Sequence, residues 1–227
     1  MKMNEIFLEN CIKTLTQRKI EYDYVFCVPP DFDELSLSPD KDTEKYILFL
    51  HDIFKLFSPK RNVVTIAITD RKYKTTIITK HAMIVNIMQQ IGYNYISQKI
   101  WCRSYKLNLY RLNYSFVMSF AKKPYKQNHD KRFEEDVWNN HVYSHKGFPY
   151  AIALEVIKRC IVNFTNENEI VYDPFSGSAT MAIACLETKR NYLGSEINPK
   201  FHEIGNDRIA HYAENKEREN KQMTFLK

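Results

Sequence analysis

The chain has 227 residues, 44% apolar and 26% charged, with 33 Lys+Arg against 27 Asp+Glu and a net charge of +6. That length and apolar content support one domain with its own core. Its 5 glycines, against roughly 16 at average usage, exclude collagen-like and glycine-rich linker chains. No apolar run nears the ~20 residues of a membrane span, and the first residues turn polar too soon for a signal peptide.

In chain order, residues 5–18 carry apolar residues at helical spacing (Ile6, Leu8, Ile12, Leu15). Residues 22–28 read as a buried strand stopped by Pro29-Pro30. Residues 31–43 are a polar loop, 44–57 an apolar-faced helix, and 63–69 a strand. A helix over 79–90 closes near Gly92. Segments 95–101 and 113–121 are β-rich and able to pair, while 122–144 is charged and poorly periodic. Then come a helix (151–162), a strand (169–172), a helix (179–188), a strand (191–195) and a helix from Pro199 to about residue 213. The charged tail that follows is expected to fray. Strands alternating with helices predict an α/β doubly wound sheet, mostly parallel, with an antiparallel hairpin at 95–121.

The five cysteines (11, 27, 102, 160, 185) are odd in number and lack any C-x-x-C. That pattern fits reduced cytosolic thiols, not a disulfide frame or a zinc site. Basic clusters with interleaved aromatics include Lys72, Lys74, Lys122, Lys123, Lys126 and Arg132. They fit a polyanion-binding surface, or equally the solvated surface of a lysine-rich protein.

The densest chemical signal is Asp173-Pro174-Phe175-Ser176-Gly177-Ser178-Ala179-Thr180. A short apolar strand ends in an acid, turns through small residues and enters a helix. A second strand then ends in Ser195-Glu196, followed by Asn198. Ligands on such sheets bind beyond the carboxyl ends of the strands, and an acid after the second strand can take both hydroxyls of a ribose. The turn is neither G-x-G-x-x-G nor a Walker A loop. Acids at two strand ends suit a ligand with an ammonium group and a free ribose, such as S-adenosylmethionine (SAM). The plainer reading is that Asp173 only caps its turn.

These residues resemble the SAM motif of amino-group DNA methyltransferases, D-P-F-x-G-S-G-T-T followed by G-R-x-x-I-G-x-E, with Ala179 at the second motif glycine. Asp136-Val137-Trp138 and the 145–149 loop, with Phe148 and Pro149, resemble the family's D-V-W and H-P-x-x-F-P elements. The resemblance implies that this loop flanks the methionine part of SAM. A Pro-Pro element ahead of the SAM motif is the permuted, β-type order. The implied layout is one methyltransferase domain over 1–213: a catalytic half (1–121), a short recognition insert (122–144) and a SAM half (145–213), then a tail (214–227).

The family places D-P-P-Y or S-P-P-Y after a buried strand. A side-chain oxygen and the first proline's carbonyl accept the N–H groups of an exocyclic amine and hold it in line with the methyl donor. The aromatic stacks on the flipped base. Here the matching residues are Val28-Pro29-Pro30-Asp31. The Pro29 carbonyl remains, Val28 cannot accept a hydrogen bond, and Asp31 cannot stack. Phe32 offers an aromatic surface one residue late, and Cys27, Asp31 or Asp33 supply polarity only if the loop rearranges. The resemblance implies methylation of adenine N6 or cytosine N4 in DNA, in the cytoplasm or nucleoid. The alternatives are a catalytically weak SAM-binding subunit, working as a homodimer or beside an active partner, and an RNA methyltransferase.

Overall fold

Buried β-rich runs alternating with amphipathic runs give, in chain order, β1 (Glu5–Leu8), α1 (Cys11–Gln17), β2 (Tyr24–Cys27), α2 (Thr43–Phe54) and β3 (Val63–Ile68). Next come β4 (Arg71–Tyr73), β5 (Thr76–Ile78), α3 (Lys80–Gln90), β6 (Asn94–Cys102), β7 (Tyr114–Ala121) and β8 (Val137–Trp138). The chain closes with α4 (Leu154–Phe164), β9 (Ile170–Asp173), α5 (Thr180–Glu187), β10 (Asn191–Glu196) and α6 (Pro199–Phe225). The computed structural model describes residues 3–103, 112–128, 135–139 and 152–225, with side chains up to residue 216.

Eight strands form one sheet in the order β1-β10-β9-β2-β3-β7-β6-β8. β1, β10, β9, β2 and β3 run parallel to one another. β7 is antiparallel to both β3 and β6, as the 95–121 hairpin predicts. The architecture is therefore α/β, doubly wound and Rossmann-like. β2 and β3 are buried at every position, as parallel strands are when helices cover both faces. The pleat sends Tyr24 and Phe26 into one core, beside α4 and α5, and Val25 and Cys27 into the other, beside α2 and α3. β9 and β2, far apart in sequence, are neighbours. That seam brings the two halves of the chain side by side, with the carboxyl ends of β2, β3, β9 and β10 on one edge.

The helix expected over 5–18 is two elements. Asn10 breaks it: its side chain accepts the Ile12 N–H at 2.8 Å and caps α1, while residues 5–8 extend the sheet beside β10. The β4–β5 hairpin was not expected, because the charges of 71–74 hide the β-branched run Thr76-Ile77-Ile78. Nor does α6 end near 213. It continues to Phe225, so the tail is helical rather than frayed up to there. Among the described residues, no helix is long and apolar enough to cross a membrane.

Candidate active site

The loop after β9 is held by backbone hydrogen bonds. Glu196, at the end of β10, accepts the Gly177 N–H at 2.7 Å and the Asn198 N–H at 2.8 Å. Asp173 accepts the Phe175 N–H at 2.9 Å. The Ser176 N–H donates to the Ser195 carbonyl at 2.9 Å. Burial pushes the Asp173 carboxyl up to about 7, against the Phe175 bond and with help from the charge of Glu196.

Ala179 sits in the left-handed region, with φ of 61°, where the family motif carries glycine. The strain is matched by close packing from α6. A Cβ on Gly205 would lie 3.2 Å from the Ala179 Cβ and 3.2 Å from the Gly177 carbonyl. Gly205 is thus the space that admits a methyl at 179, a role that no local motif signals. Arg208, one turn on, donates to the Ser178 carbonyl. Gly194 is equally constrained, since a Cβ there would fall 2.1 Å from Ser176 Oγ.

The Pro-Pro loop is held differently, by side chains. Tyr46 donates to the Pro30 carbonyl at 3.0 Å. No hydrogen bond reaches the Pro29 carbonyl among the described residues. Val28 is half-buried and packs against the first core. Phe32 is fully buried, its ring stacked on Tyr46 at 4.3 Å, so it offers no face to a base. Asp31 needs no rearrangement to face the site. One carboxylate oxygen (Oδ1) meets Lys80 Nζ at 2.9 Å and the Phe32 N–H at 2.7 Å. The other (Oδ2) has Arg71 at 3.4 Å, which lies closer to Asp33, at 2.7 Å. Burial raises the Asp31 carboxyl, but Lys80, the Phe32 N–H and Arg71 outweigh it and hold it below the usual range. Lys80 is 2% exposed, and a lysine so deeply placed is rare without a partner. Sequence reading missed it because its partner sits on another element. Cys27 is fully buried, and burial pushes its thiol well above the ordinary value.

Both loops open into one cavity of about 930 Å³, near the upper end for small-molecule sites. Val28, Pro29, Pro30 and Asp31 line one wall; Asp173, Phe175, Gly177, Ser178, Thr180, Glu196 and Asn198 line the other. Ala179 lies just behind, in the core. Ile197, also missed from sequence, is 68% exposed at the rim. Two strand-end acids, free backbone approach and an apolar rim fit an adenosine-bearing cation.

Of the basic candidates, Lys72 and Lys74 reach this cavity from the β4–β5 hairpin. Lys122, Lys123 and Lys126 do not. They follow β7, whose last residue pairs with Val63 at the opposite end of β3 from the site, about 17 Å away by strand rise. Lys122 lies over the Tyr93 ring at 4.4 Å. Phe148, Pro149 and Arg132 lie outside the described residues. Trp138, from the D-V-W element, is buried beside Trp101. Arg190, from the second motif, is a brace: it donates to the Thr165 carbonyl at 2.7 Å.

A mostly parallel sheet whose strand-end acids and Pro-Pro turn line one cavity has the layout of the Rossmann-like methyltransferase fold. The DNA methylase family, of the N6/N4 amino type, matches residues 22–207, and the chain belongs to that family. It is 34% identical over 79 residues to the type II methyltransferase M.Cfr9I of Citrobacter freundii, over 34% of this chain and 26% of that protein. The matched stretch thus spans about a quarter of that relative's length. Among solved structures, it is similar to the PvuII cytosine-N4-specific DNA methyltransferase (TM-score 0.75, 12% identity, 90% of this chain and 86% of that one). It is also similar to the M1.HpyAVI–SAM complex (TM-score 0.70, 20% identity, 90% and 98%).

Proposed function

We propose that this chain transfers a methyl group from SAM to an exocyclic amine of DNA, adenine N6 or cytosine N4. The observation that carries the reading is the shared cavity, which Pro29, with no hydrogen bond to its carbonyl among the described residues, lines together with Asp173 and Glu196. Bound SAM supplies a sulfonium-activated methyl. Asp173 takes its ammonium group and Glu196 its ribose hydroxyls, while Ile197 gives the purine an apolar surface. The Pro29 carbonyl accepts one amine N–H and orients the nitrogen. Lys72 and Lys74 place cations where the phosphates beside a flipped base would run. By sequence alone, Phe148 and Pro149 are assigned to the methionine end of SAM and Arg132, in the short 122–144 insert, to DNA phosphates. The family relationship and the SAM-bound neighbour support this reading. The cytoplasm or nucleoid is its working place.

One observation favours a second reading, a SAM-binding subunit that supports an active partner or a second copy of itself. Val28 puts an apolar side chain where the family's acceptor stands. Tritiated methyl transfer from SAM separates the two, with unmethylated genomic DNA and total RNA as acceptors and the purified chain alone. Transfer to DNA with one turnover or more per chain supports the enzyme. Tight SAM binding with no transfer to either acceptor overturns it in favour of the subunit, and transfer to RNA alone moves the substrate.

A further inference from the structure

The proline loop lacks the family's acceptor at Val28 but carries a carboxylate three residues later that the fold turns into the same cavity. Its two oxygens are not equivalent. Oδ1 already receives Lys80 Nζ (2.9 Å) and the Phe32 N–H (2.7 Å). Among the described residues, Oδ2 has only the long 3.4 Å approach of Arg71, whose nearer partner is Asp33. The Asp31 N–H is tied to Glu34 at 2.7 Å, and the Pro30 carbonyl to Tyr46, so both polar groups of the peptide that leads into Asp31 are held. The pair resembles a built acceptor more than a surface salt bridge, since the ammonium is buried and the carboxylate is not fully used.

We propose that Asp31 Oδ2 is the side-chain acceptor for the target amine, replacing the one absent at Val28, with Lys80 as its positioning residue. The inference rests on the amino-methyltransferase reading. In the step it serves, the N–C bond forms as the methyl's bond to sulfur breaks, and that electron pair stays on sulfur. The nitrogen then sheds one proton, which Asp31 Oδ2 accepts and passes to solvent. A carboxylate beside the nitrogen also stabilises the positive charge that builds as it attacks. Lys80 holds Oδ1, leaving Oδ2 for the amine.

Two readouts test this on the full chain. The first is calorimetric binding, with SAM already bound, of 2′-deoxyadenosine and 2′-deoxycytidine, against N6,N6-dimethyl-2′-deoxyadenosine, which has no amine N–H. The wild type should prefer the better amine-bearing nucleoside at least fivefold. Asp31→Ala should lose that preference with SAM affinity held within twofold, which also shows that the variant folds. Lys80→Met should lose most of the preference and Lys80→Arg recover at least half, as a merely structural lysine would not require. The second is single-turnover methyl transfer to unmethylated genomic DNA. Asp31→Ala should fall at least a hundredfold, and Val28→Asp added to it should restore at least tenfold. Retention of the preference in Asp31→Ala, absence of any preference in the wild type, or undiminished transfer by Asp31→Ala overturns the assignment. If the preference depends on Asp31 but no variant or wild type transfers methyl to DNA, the acceptor stands and the DNA-methylating reading falls.

Discussion

The two walls of the cavity are built by different means. The loop at 173–180 is positioned by main-chain N–H groups bonded to Asp173, Glu196 and the Ser195 carbonyl. The loop at 28–33 is positioned by side chains from elsewhere: Tyr46 on α2, Arg71 on β4 and Lys80 on α3. A wall made of backbone groups needs particular residues only where a side chain supplies the acceptor or where chains touch, so its motif survives nearly whole. A wall made of side chains can change its chemistry by exchanging partners. The 173–180 wall therefore keeps its family signature, while the 28–33 wall carries an apolar side chain at Val28 and a carboxylate at Asp31.

Breaking the backbone wall at its acceptor should cost most. Glu196→Ala orphans the Gly177 and Asn198 N–H groups and removes the proposed ribose ligand; SAM affinity should fall about a hundredfold by calorimetry, about 3 kcal/mol for two charge-assisted bonds. Glu196→Gln should lose less, and unchanged affinity in both variants would remove Glu196 from the site. Next is Gly194→Ala, whose methyl meets Ser176 Oγ at 2.1 Å. It should lower chemical-denaturation stability by about 1–3 kcal/mol, with partial recovery in the Ser176→Ala background.

The third effect depends on pH. With its folded value near 7, Asp173 keeps a proton in the free protein that an unfolded chain would have lost above about pH 4. Its contribution to stability is therefore greatest below pH 4 and declines as pH rises to 7. A cationic ammonium ligand favours the ionised form, so binding expels a proton below pH 7. SAM affinity should rise between pH 6 and 7 by up to about tenfold, and Asp173→Asn should flatten the slope. The smallest effect sharpens the packing claim. Gly205→Ala should destabilise the protein, and Ala179→Gly should offset part of the loss, with a coupling of about 0.5–1 kcal/mol in a double-mutant cycle. Strict additivity would mean that the two positions do not share the space.

How much was legible follows the same division. Strand and helix alternation, the 95–121 hairpin and the 173–196 unit were readable, because periodicity and turn chemistry are local. The 5–18 region was misread: positions 8, 12 and 15 fit a helix while 6 and 8 fit a strand, and Asn10's cap divides them. Phe32 was expected as a stacking surface, but its ring completes the core with Tyr46. Neither Lys80 nor Gly205 belongs to a local motif. Each is defined by a neighbour on another element.

The sequence by itself determined the alternating α/β order, the strand-end acids Asp173 and Glu196, and the loss of an acceptor at Val28, since each depends on residue type and near neighbours. Only the tertiary structure decided which lysines share the cavity, why an alanine fits at 179, and that Asp31 pairs with Lys80. The physical reason is the β9–β2 seam: a parallel sheet brings distant chain segments to one edge, and pairings made there leave no periodic trace in the sequence.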